Sequence, residues 1–254
     1  LGGDALHPHA QVGQVMRRWR LHRRRRAQQV QRTRGIAGDG EGRITLEVVD
    51  DQGNVVWGDK LMCLFWREIL AKHPEALAIV EVKCSQALVD EIKRLGGKPV
   101  FYKTGHSLIK AKLKEEDAVM AGEMSGHLFF ADRYYGYDDA IYAGARLLEI
   151  LAGGAESLSA LYDQLPQAVN TPEIRIECPE EKKAIVLEEL AKEYEGKYPV
   201  VTIDGLRVRF PRGWGLVRAS NTQPVLVLRF EAESKEDLDE IHNSVMDKVR
   251  ALLG

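Results

Sequence analysis

Two hydrophobic rhythms alternate along this chain. From Lys235 to Leu253 the apolar residues Leu238, Ile241, Val245, Val249 and Leu252 step by three and four, the spacing of one helix face. Asp59 to His73 has a similar stripe in Leu61, Leu64, Phe65, Ile69 and Leu70. Ser85 to Leu95 reads as a helix with Ser85 at its N-cap and Gly96-Gly97 at its stop, and Leu108 to Lys114 starts another. Tyr137 to Leu151 reads as a helix with Ile141, Leu148 and Leu151 facing inward, ended by Gly153-Gly154. The other rhythm is a set of short apolar runs, Leu77 to Val82, Pro99 to Tyr102 and Ala118 to Met120, which are strand lengths set between helices. Asp50-Asp51-Gln52-Gly53-Asn54 is a turn between apolar runs.

Strands that alternate with helices predict an α/β/α layered domain with a mainly parallel sheet, placed at residues 48–166. Pro166 to Thr171 reads as a linker. Beyond it, Ile174 to Glu177 is a strand, Pro179 to Tyr194 a charged helix, and Val200 to Phe210 and Gly215 to Phe230 carry strand signals. Residues 167–254 are therefore expected to form a smaller α+β domain, a mostly antiparallel sheet covered by two helices.

Charge separates a third segment. Nine arginines and a single acid, Asp4, precede Gly35, whereas residues 35 onward hold 27 Lys and Arg against 37 Asp and Glu. Met16 to Arg34 has too few aliphatic residues to offset its ordering entropy, so residues 1–47 read as a basic, disordered leader. A basic arm for nucleic acid is the rival reading, but nothing downstream supports it, and nucleic acid is not expected as a partner. No apolar run approaches the roughly 18 to 20 residues of a membrane span, and no signal peptide is visible. The three cysteines, Cys63, Cys84 and Cys178, lack metal-ligand spacing and suit reduced thiols in a cytoplasmic protein.

Candidate chemistry gathers in a few short stretches. In Gly122-Glu123-Met124-Ser125-Gly126-His127, residues two apart on extended chain point to one side, so Glu123 and Ser125 could face a pair of vicinal hydroxyls. His127 could orient a hydroxyl or move a proton. Lys83 and His106 follow two successive strands, at the sheet edge where α/β folds place ligands. Arg218, Ser220, Asn221 and Thr222 put a guanidinium, two hydroxyls and an amide into five residues, which suits an anion and equally a turn between strands. Asp39 and Glu41, set between glycines, could offer oxygens to Mg²⁺ or form a solvated turn. No stretch supplies a nucleophile.

At these residues the sequence resembles the α-D-phosphohexomutases, and most of all their bacterial phosphomannomutase/phosphoglucomutase branch. The stretches that carry the resemblance are Val82-Lys83-Cys84, Lys103 to Lys110, Gly122 to Phe129, Tyr137-Asp138-Asp139 and Gly213 to Phe230. Phosphoglucosamine mutases usually have Gln in place of Met124 and an Arg-Pro-Ser-Gly-Thr phosphate loop, and this chain departs from both patterns. The family has four domains, which carry in turn a phosphoserine, a Mg²⁺ loop, a sugar loop and a phosphate loop. The resemblance makes the two predicted domains the third and fourth.

The resemblance also implies roles. Glu123 and Ser125 would contact the sugar's 3- and 4-hydroxyls. Lys83, His106 and His127 would line the same cleft, with His127 available for proton transfer. Arg218, Ser220, Asn221 and Thr222 would hold the non-reacting phosphate. Mg²⁺ is the family's metal, yet Asp39-Gly40-Glu41-Gly42-Arg43 departs from the usual Asp-Gly-Asp-Gly-Asp-Arg by one missing residue and by Glu for the second Asp. Nothing before Gly35 resembles the phosphoserine loop. The chain thus reads as the C-terminal part of a longer enzyme, behind a scrambled or frame-shifted leader and a degraded end of the second domain that holds the remnant metal loop, with the N-terminal domains as its missing partners. The expected activity is interconversion of hexose 1- and 6-phosphates through an enzyme phosphoserine and a hexose 1,6-bisphosphate intermediate. The alternative is a catalytically inactive phosphosugar-binding fragment.

Overall fold

Leu77–Glu81 (β5), Lys98–Tyr102 (β6), Met120–Gly122 (β7) and Leu128–Phe130 (β8) form a four-stranded sheet in the order β6-β5-β7-β8. The computed structural model describes residues 36–38 and 44–254; the expected leader and the residues Asp39 and Glu41 lie outside them. By packing, the chain divides into two units. The first holds the described residues up to Cys84 with Leu88–Val100 and Thr104–Leu165; the second holds Ser85–Ala87, Phe101–Lys103 and Pro166–Gly254.

In the first unit β5 and β7 are parallel, with Ala78 opposite Met120 and Val80 opposite Gly122. β8 returns antiparallel to β7 at the edge. The helices are Gly58–Leu70 (α1), Gln86–Arg94 (α2), His106–Glu115 (α3), Ala140–Gly153 (α4) and Leu158–Asp163 (α5). Ile36–Gly38 (β1) pairs with Ile44–Leu46 (β2), and Val48–Val49 (β3) with Val55–Val56 (β4), both antiparallel. The expected Asp50–Asn54 turn closes the second hairpin, where Asp50 accepts the Gln52 and Asn54 backbone N–H groups at 2.9 and 2.8 Å. Trp66, Phe65, Phe129, Phe130 and Tyr142 are buried at the centre, and Phe65 meets Phe130 edge-on at 5.0 Å.

α1 begins where the site needs it to. The Gly58 N–H donates to the Met124 carbonyl at 3.1 Å. A Cβ at Gly58 would lie 2.6 Å from the Glu123 carbonyl oxygen, so only glycine lets the helix start against that turn.

Several expectations differ in detail. Ile141 does not face inward; it is 55% exposed. Asp139 caps α4 by accepting from the Tyr142 N–H at 2.9 Å, and this phase buries Tyr142, Ala143, Arg146 and Leu147 while turning Ile141 out. β7 begins at the last residue of the expected strand and runs on into the glycine motif, and β8 is a strand the apolar pattern left unassigned. α3 starts two residues earlier than the apolar residues indicated, at His106. The segment expected as linker contains Val169–Asn170 (β9), which pairs with the second unit's sheet.

The second unit is an antiparallel sheet with strands Ile174–Glu177 (β10), Val200–Val201 (β11), Leu206–Phe210 (β12), Gly213–Ala219 (β13) and Val225–Ala232 (β14). The order is β10-β14-β13-β12-β11, with β9 also on β14. Glu180–Tyr194 (α6) and Lys235–Leu253 (α7) cover it. Val186 and Leu190 of α6 and Val245 and Val249 of α7 pack with Val208, Val217, Leu226, Leu228 and Phe230. Ser234 caps α7 by accepting from the Asp237 N–H at 3.1 Å. The three cysteines are buried and form no disulfide. Among the described residues no helix is long and apolar enough to cross a membrane.

Candidate functional site

In the first unit the candidate residues converge at the carboxyl ends of β5 and β7, where parallel strands leave room for a ligand. Lys83 follows β5, His106 opens α3, and Glu123, Ser125 and His127 lie on the connection between β7 and β8. That connection is a tight turn rather than extended chain. Gly126 N–H donates to the Glu123 carbonyl at 3.1 Å and Glu123 N–H to the His127 carbonyl at 2.9 Å. Glu123 and Ser125 still come together, because the turn folds the hydroxyl back: Ser125 Oγ donates to Glu123 Oε2 at 3.4 Å. Gly126 takes φ +90° with the Leu46 carbonyl pressed against it, a combination closed to other residues.

Glu123 is nearly buried, at 4% exposure. Its Oε1 accepts the Gly105 backbone N–H at 2.7 Å, and Gly105 takes φ +133°. Burial raises the Glu123 carboxyl above its ordinary range and the negative charge of Glu81 adds to this; the Gly105 N–H, His127 and Lys83 pull it back.

His127 has a carboxylate partner that motif reading did not assign. Its Nδ1 lies 2.5 Å from Asp138 Oδ2, and its ring centroid is 6.0 Å from that of His106. A carboxylate on one imidazole nitrogen fixes the tautomer and supports positive charge on the ring, so the other nitrogen can take a proton from a hydroxyl. Asp138 stood inside a matching stretch of sequence, but no spacing rule ties it to a histidine eleven residues away. Glu81 went unnoticed as well. It is fully buried at the end of β5 and looked like the polar end of an apolar strand.

The second unit carries the other candidate loop. Residues 220–224 connect β13 to β14, whose pairing ends at Ala219 opposite Leu226. Ser220 Oγ accepts the Thr222 and Gln223 N–H groups at 3.4 and 3.2 Å, while Asn221 and Thr222 are exposed. Arg218, at the loop's base, holds Asp204 through Nε at 3.2 Å and Nη2 at 3.1 Å. Lys183 enters from α6, only 4% exposed, and donates through Nζ to the Ser220 carbonyl at 2.7 Å and the Gln223 carbonyl at 2.8 Å. It also pairs with Glu180 at 2.6 Å. In sequence it was one lysine of a charged helix, with no signal that it braces a loop about forty residues on.

No group of three or more His, Cys, Asp or Glu side chains among the described residues is arranged to hold a metal ion. Asp39 and Glu41, to which the resemblance assigns Mg²⁺, lie outside the described residues, and no chemical step below runs through a metal.

Two family models match. Residues 57–169 match the phosphoglucomutase/phosphomannomutase alpha/beta/alpha domain III, and residues 173–248 match the C-terminal domain of the same family. A phosphomannomutase/phosphoglucomutase of Pseudomonas aeruginosa is 45% identical over 219 residues, which cover 86% of this chain and 47% of that protein. A phosphoglucomutase of Neisseria gonorrhoeae is 48% identical over 212 residues, covering 82% and 46%. Among solved structures, a phosphoglucomutase/phosphomannomutase family protein of Burkholderia thailandensis superposes with a TM-score of 0.76 at 47% identity, covering 82% of this chain and 44% of that one. The chain spans about half the length of the curated relatives it matches. With domain III and the C-terminal domain both present in order, the chain belongs to the phosphoglucomutase/phosphomannomutase family.

Proposed function

We propose that this chain supplies the substrate-recognition part of a phosphohexomutase that interconverts hexose 1-phosphates and hexose 6-phosphates. Glu123 and Ser125 accept and donate hydrogen bonds to adjacent ring hydroxyls, with Lys83 and His106 beside them. Arg218, Ser220, Asn221 and Thr222 take the phosphate that is not reacting. The observation that carries this reading is Glu123. A carboxylate buried beside a histidine–aspartate pair, on a turn held by glycines, is an expensive arrangement unless a polar ligand completes it.

In the proposed reaction an enzyme phosphoserine, borne by the parent enzyme's N-terminal domains, transfers its phosphoryl group to a sugar hydroxyl. The proton of that hydroxyl passes to His127, whose imidazolium Asp138 supports. The hexose 1,6-bisphosphate so formed reorients and returns its other phosphoryl group to the serine, and the His127 imidazolium gives its proton to the sugar oxygen that this frees. Reorientation explains why recognition rests on hydroxyl contacts and on a separate phosphate loop: the same groups serve the sugar in both orientations.

A second reading, a phosphosugar-binding fragment without turnover, is favoured by one observation: no stretch of the sequence resembles the phosphoserine loop. One pair of measurements tests both. Calorimetry with glucose 1-phosphate reports recognition, and an assay with glucose 1-phosphate, Mg²⁺ and catalytic glucose 1,6-bisphosphate reports turnover. Binding without turnover supports the recognition role and the fragment reading, turnover removes the fragment reading, and absence of binding refutes both.

A further inference from the structure

Glu81 is a buried carboxylate that touches all three loops of the first unit's site, and the reaction proposed above gives it no task. It ends β5 with no exposed surface. Its Oε1 accepts from Thr104 Oγ1 at 2.8 Å and faces Lys83 Nζ at 3.1 Å. Its Oε2 accepts the backbone N–H of Met124 at 3.0 Å. Its own carbonyl accepts the Cys84 N–H at 3.0 Å, which closes the turn that carries Lys83. One side chain thus fixes the Lys83 turn, the Thr104-Gly105-His106 segment and the Glu123–His127 turn.

We propose that Glu81 is a positioning residue for hexose-phosphate recognition: by holding Lys83, Thr104 and the Met124 backbone at once, it sets Glu123, His106 and His127 at the spacing that a sugar ring requires.

The chemistry favours this over a purely structural role. A core position could be filled by an apolar residue at less cost than a fully buried carboxylate. A carboxylate offers two oxygens and about four lone-pair directions, enough for a backbone N–H, a hydroxyl and an ammonium at once. Glutamine of the same size offers a single acceptor oxygen and would turn N–H groups toward either the Met124 N–H or the Thr104–Lys83 side. Glu81 also bears on the charge of Glu123. The charged groups around Glu123 are Glu81 and Lys83 at the end of β5, His127 on its own turn and, through the His127 ring, His106 of α3. α1, packed against the back of the turn at Gly58, brings Asp59 and Lys60. Among these Glu81 is the like charge that lifts the Glu123 carboxyl, second to burial.

This inference rests on the proposed function, but its test does not depend on it alone. The whole chain is prepared as wild type, Glu81→Gln, Glu81→Asp and Thr104→Val. The Glu123 carboxyl is titrated by carbon NMR, the Met124 and Gly105 amide resonances are recorded, and glucose 1-phosphate binding is measured by calorimetry. Glu81→Gln should shift both amides, lower the Glu123 midpoint and weaken binding by about tenfold, the scale of one lost charge-assisted hydrogen bond. Glu81→Asp should recover part of the affinity. Thr104→Val removes the hydroxyl that donates to Glu81 and leaves the carboxylate in place, so it should bind with an intermediate loss and keeps the test open should Glu81→Gln not fold. Unmoved amides and an unmoved Glu123 midpoint in folded Glu81→Gln would overturn the inference, as would wild-type affinity in folded Glu81→Gln or, where that variant does not fold, in Thr104→Val. If the wild type itself does not bind glucose 1-phosphate, the proposed function fails, and the NMR arms alone decide whether Glu81 orders the turn.

Discussion

Glu123 carries an ionisable group into a place that water barely reaches, and this sets two properties against each other. Burial, with the nearby charge of Glu81, holds its folded-state pKa above the ordinary carboxylate value of 4.5. A raised folded-state pKa means that the group's contribution to stability is full below that ordinary value and is lost as pH rises through the raised one. At neutral pH, above the ordinary carboxylate value, Glu123 is therefore a cost to the fold, accepted for its use as a hydroxyl acceptor. Glu123→Gln keeps an acceptor for the Gly105 N–H and removes the charge. The variant should unfold at a higher temperature than wild type at pH 7.5, and the gap should close as pH falls toward 4.5. It should also bind glucose 1-phosphate more weakly. Calorimetric melting across that pH range and a binding isotherm check both halves, and a variant less stable than wild type at neutral pH would contradict the first.

At the scale of the element, a buried carboxylate of the opposite kind joins two helices. Glu91 of α2 accepts from Arg67 Nε of α1 at 2.7 Å and from Arg94 at 2.7 and 2.9 Å. The hydrogen bonds from Arg94 and then Arg67, against the cost of burial, bring its carboxyl down to about 2 from an ordinary 4.5. Here the folded-state value is depressed, so the stability it contributes is present above about 4.5 and is lost as pH falls through about 2. Glu91→Gln should be less stable than wild type at pH 7, and the difference should shrink below pH 4.5. Urea unfolding of both proteins over pH 2 to 7 measures this, and a difference that stays constant through the acid range would refute it. The same scale shows how far periodicity reads a helix. α7 was legible in full, because its stripe of Leu238, Ile241, Val245 and Val249 packs against one sheet. α4 was legible as a helix, though it starts at Ala140 rather than Tyr137, and not in phase, since the Asp139 cap decides which side is buried and leaves Ile141 outside. β8 and β9 are too short for a period to register.

At the scale of the whole molecule, both layered architectures and their order were legible from the alternation of runs and stripes, and the loops from their residue types. What sequence left hidden were the partners. Glu81, Asp138, Lys183 and Asp204 each meet a site residue through tertiary structure, and none forms a motif with it. Asp204 bears most on the proposed phosphate contact. Its carboxylate pairs with Arg218, which is 9% exposed, so the guanidinium that should meet a phosphate is already held by an anion. Arg218→Ala would remove the charge-assisted donor of a dianion and leave Asp204 to repel it. Glu123→Ala removes the acceptor of the Gly105 N–H and of the proposed hydroxyl contacts, but no partner of a dianion. Arg218→Ala should therefore lose more affinity for glucose 1-phosphate than Glu123→Ala does. The double variant Arg218→Ala with Asp204→Asn should recover part of that loss, and the recovered part should shrink as salt screens the repulsion. Calorimetry on the four proteins (wild type, the two alanine variants and the double variant) at low and high ionic strength decides the matter. Equal losses for the two alanine variants would place recognition in the hydroxyls. A double variant no better than Arg218→Ala would mean that Asp204 only orients the arginine and sets no charge against the ligand.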